Sequence, residues 1–135
     1  MNRTIKFRGK DVETGGWLDG GLILPPNKYP SIVTWKLYKN SILTHNFNVV
    51  FPDTVGQFTG LFDKNGKEIY EGDILKGFDI TLEVWYSEEK ACFIAEMKEP
   101  SNDMVDILGG YDTARMEIVG NIYDNPELIK EDEKC

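Results

Sequence analysis

Three features predict a mainly β protein: short apolar runs rich in Val, Ile, Thr, Trp and Tyr, turn residues at regular intervals between them, and almost no sustained helical periodicity. The expected architecture is an N-terminal β region over residues 1–56, a small SH3-like β-barrel region over 57–125, and a short C-terminal helix with an acidic tail over 126–135. Ile5-Lys6-Phe7-Arg8 alternates apolar with basic residues and suits a first strand, followed by a polar loop from Lys10 to Gly16. Trp17-Leu18 resumes an apolar run, Gly20-Gly21 is expected to interrupt it, and Pro25-Pro26 closes Leu22-Ile23-Leu24 because proline cannot donate to a ladder. Ser31 to Tyr38 favours a pleated surface, Lys39-Asn40-Ser41 turns the chain, and Ile42 to Phe51 is expected to pair back.

Gln57 to Asp73 reads as a β-hairpin around Asp63-Lys64-Asn65-Gly66, since Asn and Gly tolerate positive φ most cheaply. A Gly72-Asp73 turn then feeds Ile74-Leu75-Lys76. Thr81 to Tyr86 and Cys92 to Met97 supply two further strands around the turn Glu88-Glu89-Lys90. Ser101 to Leu108 fits either one or two helical turns, with Ser101 as N-cap, or a bare loop. Met116 to Ile122 is the last expected strand. Asn125-Pro126 has the pattern of an N-cap followed by proline at the first helical position.

The chain has 135 residues, 15 Lys plus Arg and 23 Asp plus Glu, for a net charge of −8. That balance repels phosphate backbones, so nucleic acid is not the expected partner. The basic window is Arg3, Lys6, Arg8 and Lys10, of which Lys6, Arg8 and Lys10 would share one strand face; a solvated face is the simpler account than a phosphate-binding strip. Cys92 and Cys135 are read as free thiols, Cys92 as a small buried hydrophobe. With no apolar leader after Met1 and no transmembrane stretch, a cytosolic protein is expected, and the Asn2-Arg3-Thr4 sequon counts as chance.

Candidate chemistry is sparse. His45 is the single histidine, so any zinc site or His-dependent nucleophile would have to use it, and a turn or strand role is the plainer reading. Asp63 to Gly66 fails as a calcium loop: with Gly66 at the sixth position, Leu61 and Gly72 fall where the first Asp and the bidentate Glu belong. Asp53 with Glu88 and Lys90 caricatures a metal-dependent nuclease, but the Glu-Lys arm lies in a polar turn rather than on a core strand. The Gly-Gly pairs lack the strand-glycine-helix setting of a phosphate loop. Trp17, Trp35, Trp85, Phe58, Phe62, Tyr70 and Tyr86 could form a stacking platform, although in a small barrel aromatics are expected to be core.

End to end, these residues resemble the YopX family of phage and prophage proteins. The resemblance rests on Phe7-Arg8-Gly9-Lys10 and Gly16-Trp17-Leu18, on Pro52 to Leu61 leading into Asp63 to Ile74, and on Ile118 to Leu128. Phe58 stands where tyrosine is common, and Phe62 where a lysine or other polar residue is usual; an extra exposed aromatic at position 62 would mark a contact surface peculiar to this chain. The resemblance implies a mainly β fold, a barrel-like C-terminal half and room for self-association, and it implies no specific activity. The expectation is therefore a non-enzymatic accessory protein with no cofactor, no metal and no catalytic residues. It would act by contact with itself or with a host or phage protein. Two alternatives accompany it: an acidic decoy presenting Glu83, Glu88, Glu89, Glu96, Asp103 and Asp106 as phosphate mimics, and a weak nucleic-acid-binding barrel.

Overall fold

A computed structural model describes residues 2–26, 28–38, 42–101 and 104–129. The chain divides into two compact units, Met1–Phe58 and Thr59–Cys135. In the first, β1 (Phe7–Lys10), β2 (Trp17–Ile23), β3 (Ser31–Tyr38), β4 (Ile42–Val49) and the start of β5 (Gly56–Phe62) form an antiparallel sheet in the order β4-β3-β2-β1-β5. Ile32 and Val50 are fully buried and Val33 and Phe58 nearly so, at about 1.5–3 kcal/mol for each large apolar side chain removed from water.

Beyond Phe58, β5 continues into the hairpin with β6 (Glu68–Tyr70). The second unit adds β7 (Asp73–Gly77), β8 (Ile80–Ser87), β9 (Cys92–Glu99), β10 (Val105–Ile107) and β11 (Glu117–Asn121), ordered β10-β9-β8-β7-β11. Its core is Ile69, Leu75, Leu82, Val84, Ala95, Met97, Leu108 and Met116. Leu82 and Val84 share the core face of β8 as their spacing predicts, while Tyr86, further along that face, is exposed.

Several expectations are corrected. The second unit is an open sheet rather than an SH3-like barrel. Its two outer strands cannot supply a closing ladder: β10 has three residues, all exposed, and β11 is broken by a bulge between Ile118 and Gly120. The C-terminal helix is only a 3-10 turn at Pro126–Leu128, because Asn125 does not cap it; Asn125 Oδ1 instead accepts the Asn121 N–H at 3.2 Å. Within the segment Ser101–Leu108, expected as helical turns or a bare loop, Val105–Ile107 runs as a strand beside β9, where a ladder partner outweighs weak helical propensity. The first strand begins at Phe7, not Ile5.

Gly20-Gly21 does not break β2. A Cβ on Gly20 would lie 2.0 Å from the Val33 carbonyl oxygen, so glycine there admits the neighbouring strand instead of ending its own. The expected turn Lys39-Asn40-Ser41 lies outside the described residues, but β3 and β4 pair over their full length, Ser31 opposite Val49 through Tyr38 opposite Ile42.

Candidate functional site

The acidic and glycine positions that give the sequence its character are occupied by structure. Asp63 is 4% exposed and its carboxylate accepts three backbone N–H groups: Oδ1 from Asn65 at 2.8 Å and Lys67 at 2.9 Å, Oδ2 from Ile118 at 3.1 Å. One carboxylate therefore closes the β5–β6 turn and ties it to β11. Burial alone would raise its pKa, but the bonds from Ile118, Lys67 and Asn65, with the Lys67 charge, hold it below the usual carboxylate range. Of the turn residues, Gly66 adopts positive φ and Asn65 does not.

Asp73, almost fully buried, accepts the Tyr70 N–H at 2.8 Å on Oδ2. The Gly72 N–H donates to Val84 O, Ile122 N–H donates to Gly72 O, and a Cβ on Gly72 would stand 2.8 Å from Tyr123 Cε2. Asn121 Oδ1 accepts from Tyr123 and Asp124, closing the turn after β11. In the first unit, buried Asp11 accepts the Glu13 N–H at 2.8 Å on Oδ1 and Asn48 Nδ2 at 3.4 Å on Oδ2. Thr54 Oγ1 accepts from Lys10 N and donates to Phe51 O, and Gly9 leaves room for Val50.

The candidate catalytic and metal-ligating residues lie on different elements, His45 and Asp53 in the first unit and Glu88 and Lys90 in the second. His45 lies in β4 among aromatics, its ring centroid 5.2 Å from Trp35 and 4.8 Å from Phe47. Asp53 is exposed in the 3-10 turn Pro52–Thr54, while Glu88 and Lys90 occupy the turn after β8, where Lys90 N donates to Ser87 Oγ. Among the described residues, no group of three or more His, Cys, Asp or Glu side chains is placed to hold a metal ion. Nor, among them, is any helix long and apolar enough to cross a membrane.

The proposed acidic surface is a mixed one. Lys98 Nζ pairs with both Glu83, at 3.5 Å, and Glu96. Burial raises the Glu83 pKa more than the Lys98 charge lowers it, with Glu96 adding to the rise. The Lys98 ammonium, which burial alone would weaken, is raised by its bond to Glu96 and the charge of Glu83. Glu88 and Glu89 sit on a turn, Asp106 Oδ1 accepts from Ile107 N, and Asp103 lies outside the described residues. Cys92 is half-buried rather than buried, and Cys135 also lies outside the described residues.

Of the aromatics expected in the core, Phe58 and Tyr70 are buried, Trp17 and Trp85 are half-buried, and Trp35, Phe62 and Tyr86 are exposed. The basic strand face does meet aromatic rings. Arg8 lies with its guanidinium carbon 4.5 Å from the Trp17 ring centroid, Lys10 Nζ at 5.5 Å from the same ring, and Lys6 Nζ at 5.7 Å from the Phe58 ring; Lys6 also pairs with Asp19 at 3.3 Å.

The most distinctive surface is one face of the β3–β4 ladder. Register and alternation put Val33, Trp35 and Leu37 of β3 on the same face as His45, Phe47 and Val49 of β4, with Ile23 of β2 opposite Ser31 at its rim. Trp35 is 59% exposed, Leu37 74% and Phe47 56%. An open groove of about 260 Å³ lies at the Val49 end, lined by Asp11, Val12, Glu13, Phe47, Asn48 and Val49. The alternation of Val33, Trp35 and Leu37 is legible in the sequence. That Trp35, Leu37 and Phe47 are exposed on this face is not.

The family model described as YopX protein matches residues 6–130, nearly the whole chain and all three motif regions. The chain belongs to the YopX family. A comparison with curated proteins gives no match. Among solved structures, the YopX-family chain is similar to protein EF1440 from Enterococcus faecalis, at 24% identity and a TM-score of 0.55, covering 96% of this chain and 100% of that one. That likeness concerns the fold alone. The segments on which the sequence resemblance rests fall within this match and contain the turns and strand junctions just described.

Proposed function

We propose that this YopX-family chain is a non-enzymatic phage or prophage accessory protein that works by protein–protein contact in the host cytoplasm and self-associates. The observation that carries this reading is the exposed apolar face of Trp35, Leu37 and Phe47 in a chain whose residues are 28% charged. The engagement of the Asp63, Asp73 and Asp11 carboxylates by N–H donors supports a structural rather than catalytic use of the motif acids. Burying the three large side chains fully would contribute about 1.5–3 kcal/mol each. Losing the freedom of a separate molecule costs on the order of 4–15 kcal/mol, so the face alone is marginal and a stable partner must engage further groups.

Size-exclusion chromatography with light scattering tests self-association; a strict monomer at micromolar concentration refutes it. The variant carrying Trp35→Ser and Phe47→Ser is expected to lose the associated species while keeping its β circular-dichroism spectrum.

A second reading is favoured by the stacking of Arg8 and Lys10 on Trp17, the pairing of cation and ring used along single-stranded nucleic acids. The net charge of −8 weighs against it. Saturable binding of labelled single-stranded DNA at low salt, weakened by Arg8→Ala, would support it, and flat titrations would remove it. The acidic-decoy reading lacks the contiguous face it needs, since Lys98 stands between Glu83 and Glu96.

A further inference from the structure

We infer that the partner is a second copy of this chain, docked edge to edge along β4 by antiparallel strand pairing about a two-fold axis through His45. The inference rests on the self-association proposed above and adds where and how it occurs. β4 is the outermost strand of its sheet. The Val50 N–H bonds to Pro30 O on the β3 side, so in an antiparallel ladder residues 48, 46, 44 and 42 direct their N–H and C=O groups at β3. Leu43, His45, Phe47 and Val49 direct theirs outward. The Val49 carbonyl is already taken by the Val12 N–H at 3.1 Å, which leaves 43, 45 and 47 as the outward-facing edge.

In its own sequence this strand lacks the usual protection against strand addition. Ile42–Val49 is eight residues long and contains no charged residue, no proline and no glycine. The other outer strands differ: β6 and β10 have three residues each, and β11 carries Glu117 and a bulge. Two chains of charge −8 repel over most of their surfaces, and an uncharged strip is where they can meet without opposing like charges.

The register follows from the free segment. Its centre is His45, and pairing 45 with 45 sets position 43 opposite position 47 of the second copy and 44 opposite 46, the reciprocal pairing an isologous contact requires. With the axis normal to the sheet, the exposed faces carrying Trp35, Leu37 and Phe47 become continuous across the join.

The test uses the full chain with Cys92→Ser and Cys135→Ser. Directly opposed antiparallel residues stand with Cα atoms about 5.5 Å apart, inside the span a disulfide bridges. His45→Cys should therefore cross-link nearly completely on mild oxidation, and Lys36→Cys, one strand inward, should not. His45→Pro removes an outward N–H that β3 does not use, and Phe47→Lys places a charge on the edge; each should halve the mass seen by light scattering while keeping the β spectrum. A parent protein that is monomeric overturns both this inference and self-association. A parent that stays oligomeric in His45→Pro and Phe47→Lys, with no cross-link through His45→Cys, overturns the β4 edge and leaves self-association standing.

Discussion

Asp63 shows how much one side chain does in this fold, because its two oxygens hold a turn closed and fasten that turn to a strand far along the chain. Asp63→Ala would strand three N–H groups, and since a buried unsatisfied donor costs about 1–3 kcal/mol, urea denaturation should show a loss of at least about 2 kcal/mol, with Asp63→Asn falling between. The pH sign follows from its lowered pKa. A carboxyl whose folded pKa lies below its unfolded value contributes stability that is present above the unfolded value, about 3.9, and disappears as pH falls through the folded one. Urea midpoints of the parent should therefore decline over that acid window, and the part of the decline due to this carboxyl should be missing in Asp63→Asn. Glu83 has the opposite sign: its raised pKa means its contribution is fully present below the unfolded value and is lost as pH rises through the folded one. Removing its counter-charge by Lys98→Ala should destabilise the protein near neutrality and leave acid stability less affected, as read from midpoints at the two pH values.

Strands in this chain are decided less by their own propensities than by what lies beside them. Gly20 sits inside β2 because the Val33 carbonyl needs the space, so Gly20→Ala should displace β3 and lower stability by more than about 2 kcal/mol in denaturant melts. Gly66, with φ of +76° and open space around it, faces only backbone strain; Gly66→Ala should cost about 1–2 kcal/mol and Gly66→Asn less. Val105–Ile107 is extended because β9 offers a ladder, and Pro126–Leu128 stops at a single turn because Asn125 is drawn back to Asn121. At Gly20 and at Val105–Ile107 a neighbouring strand overrode the local signal, and at Pro126–Leu128 a hydrogen bond to a residue four positions back did so.

For the whole molecule, two units each bury a separate set of apolar side chains, and Trp35, Leu37 and Phe47 of the first unit are exposed. The mass in solution is the quantity that follows: an even-numbered assembly is expected for the parent, reduced by His45→Pro, as light scattering would read directly. Leu75→Ala, in the core of the second unit, should lower stability by about 2–5 kcal/mol without moving the oligomeric state of the protein that remains folded. That contrast separates loss of fold from loss of the edge.

The sequence by itself determined the β class, the Asp63-Gly66 turn, the family and that Ser31–Tyr38 pairs with the segment beginning at Ile42, though it carried that segment on to Phe51 where the ladder ends at Val49, because alternation, turn chemistry and long motifs are local properties of the chain. Tertiary structure decided which aromatics are covered, that the second sheet stays open, and that Asp63 reaches Ile118. Alternation tells that Val33, Trp35 and Leu37 share a face, but whether that face meets water depends on elements elsewhere in the chain. Burial is a relation between segments, and no single segment carries it.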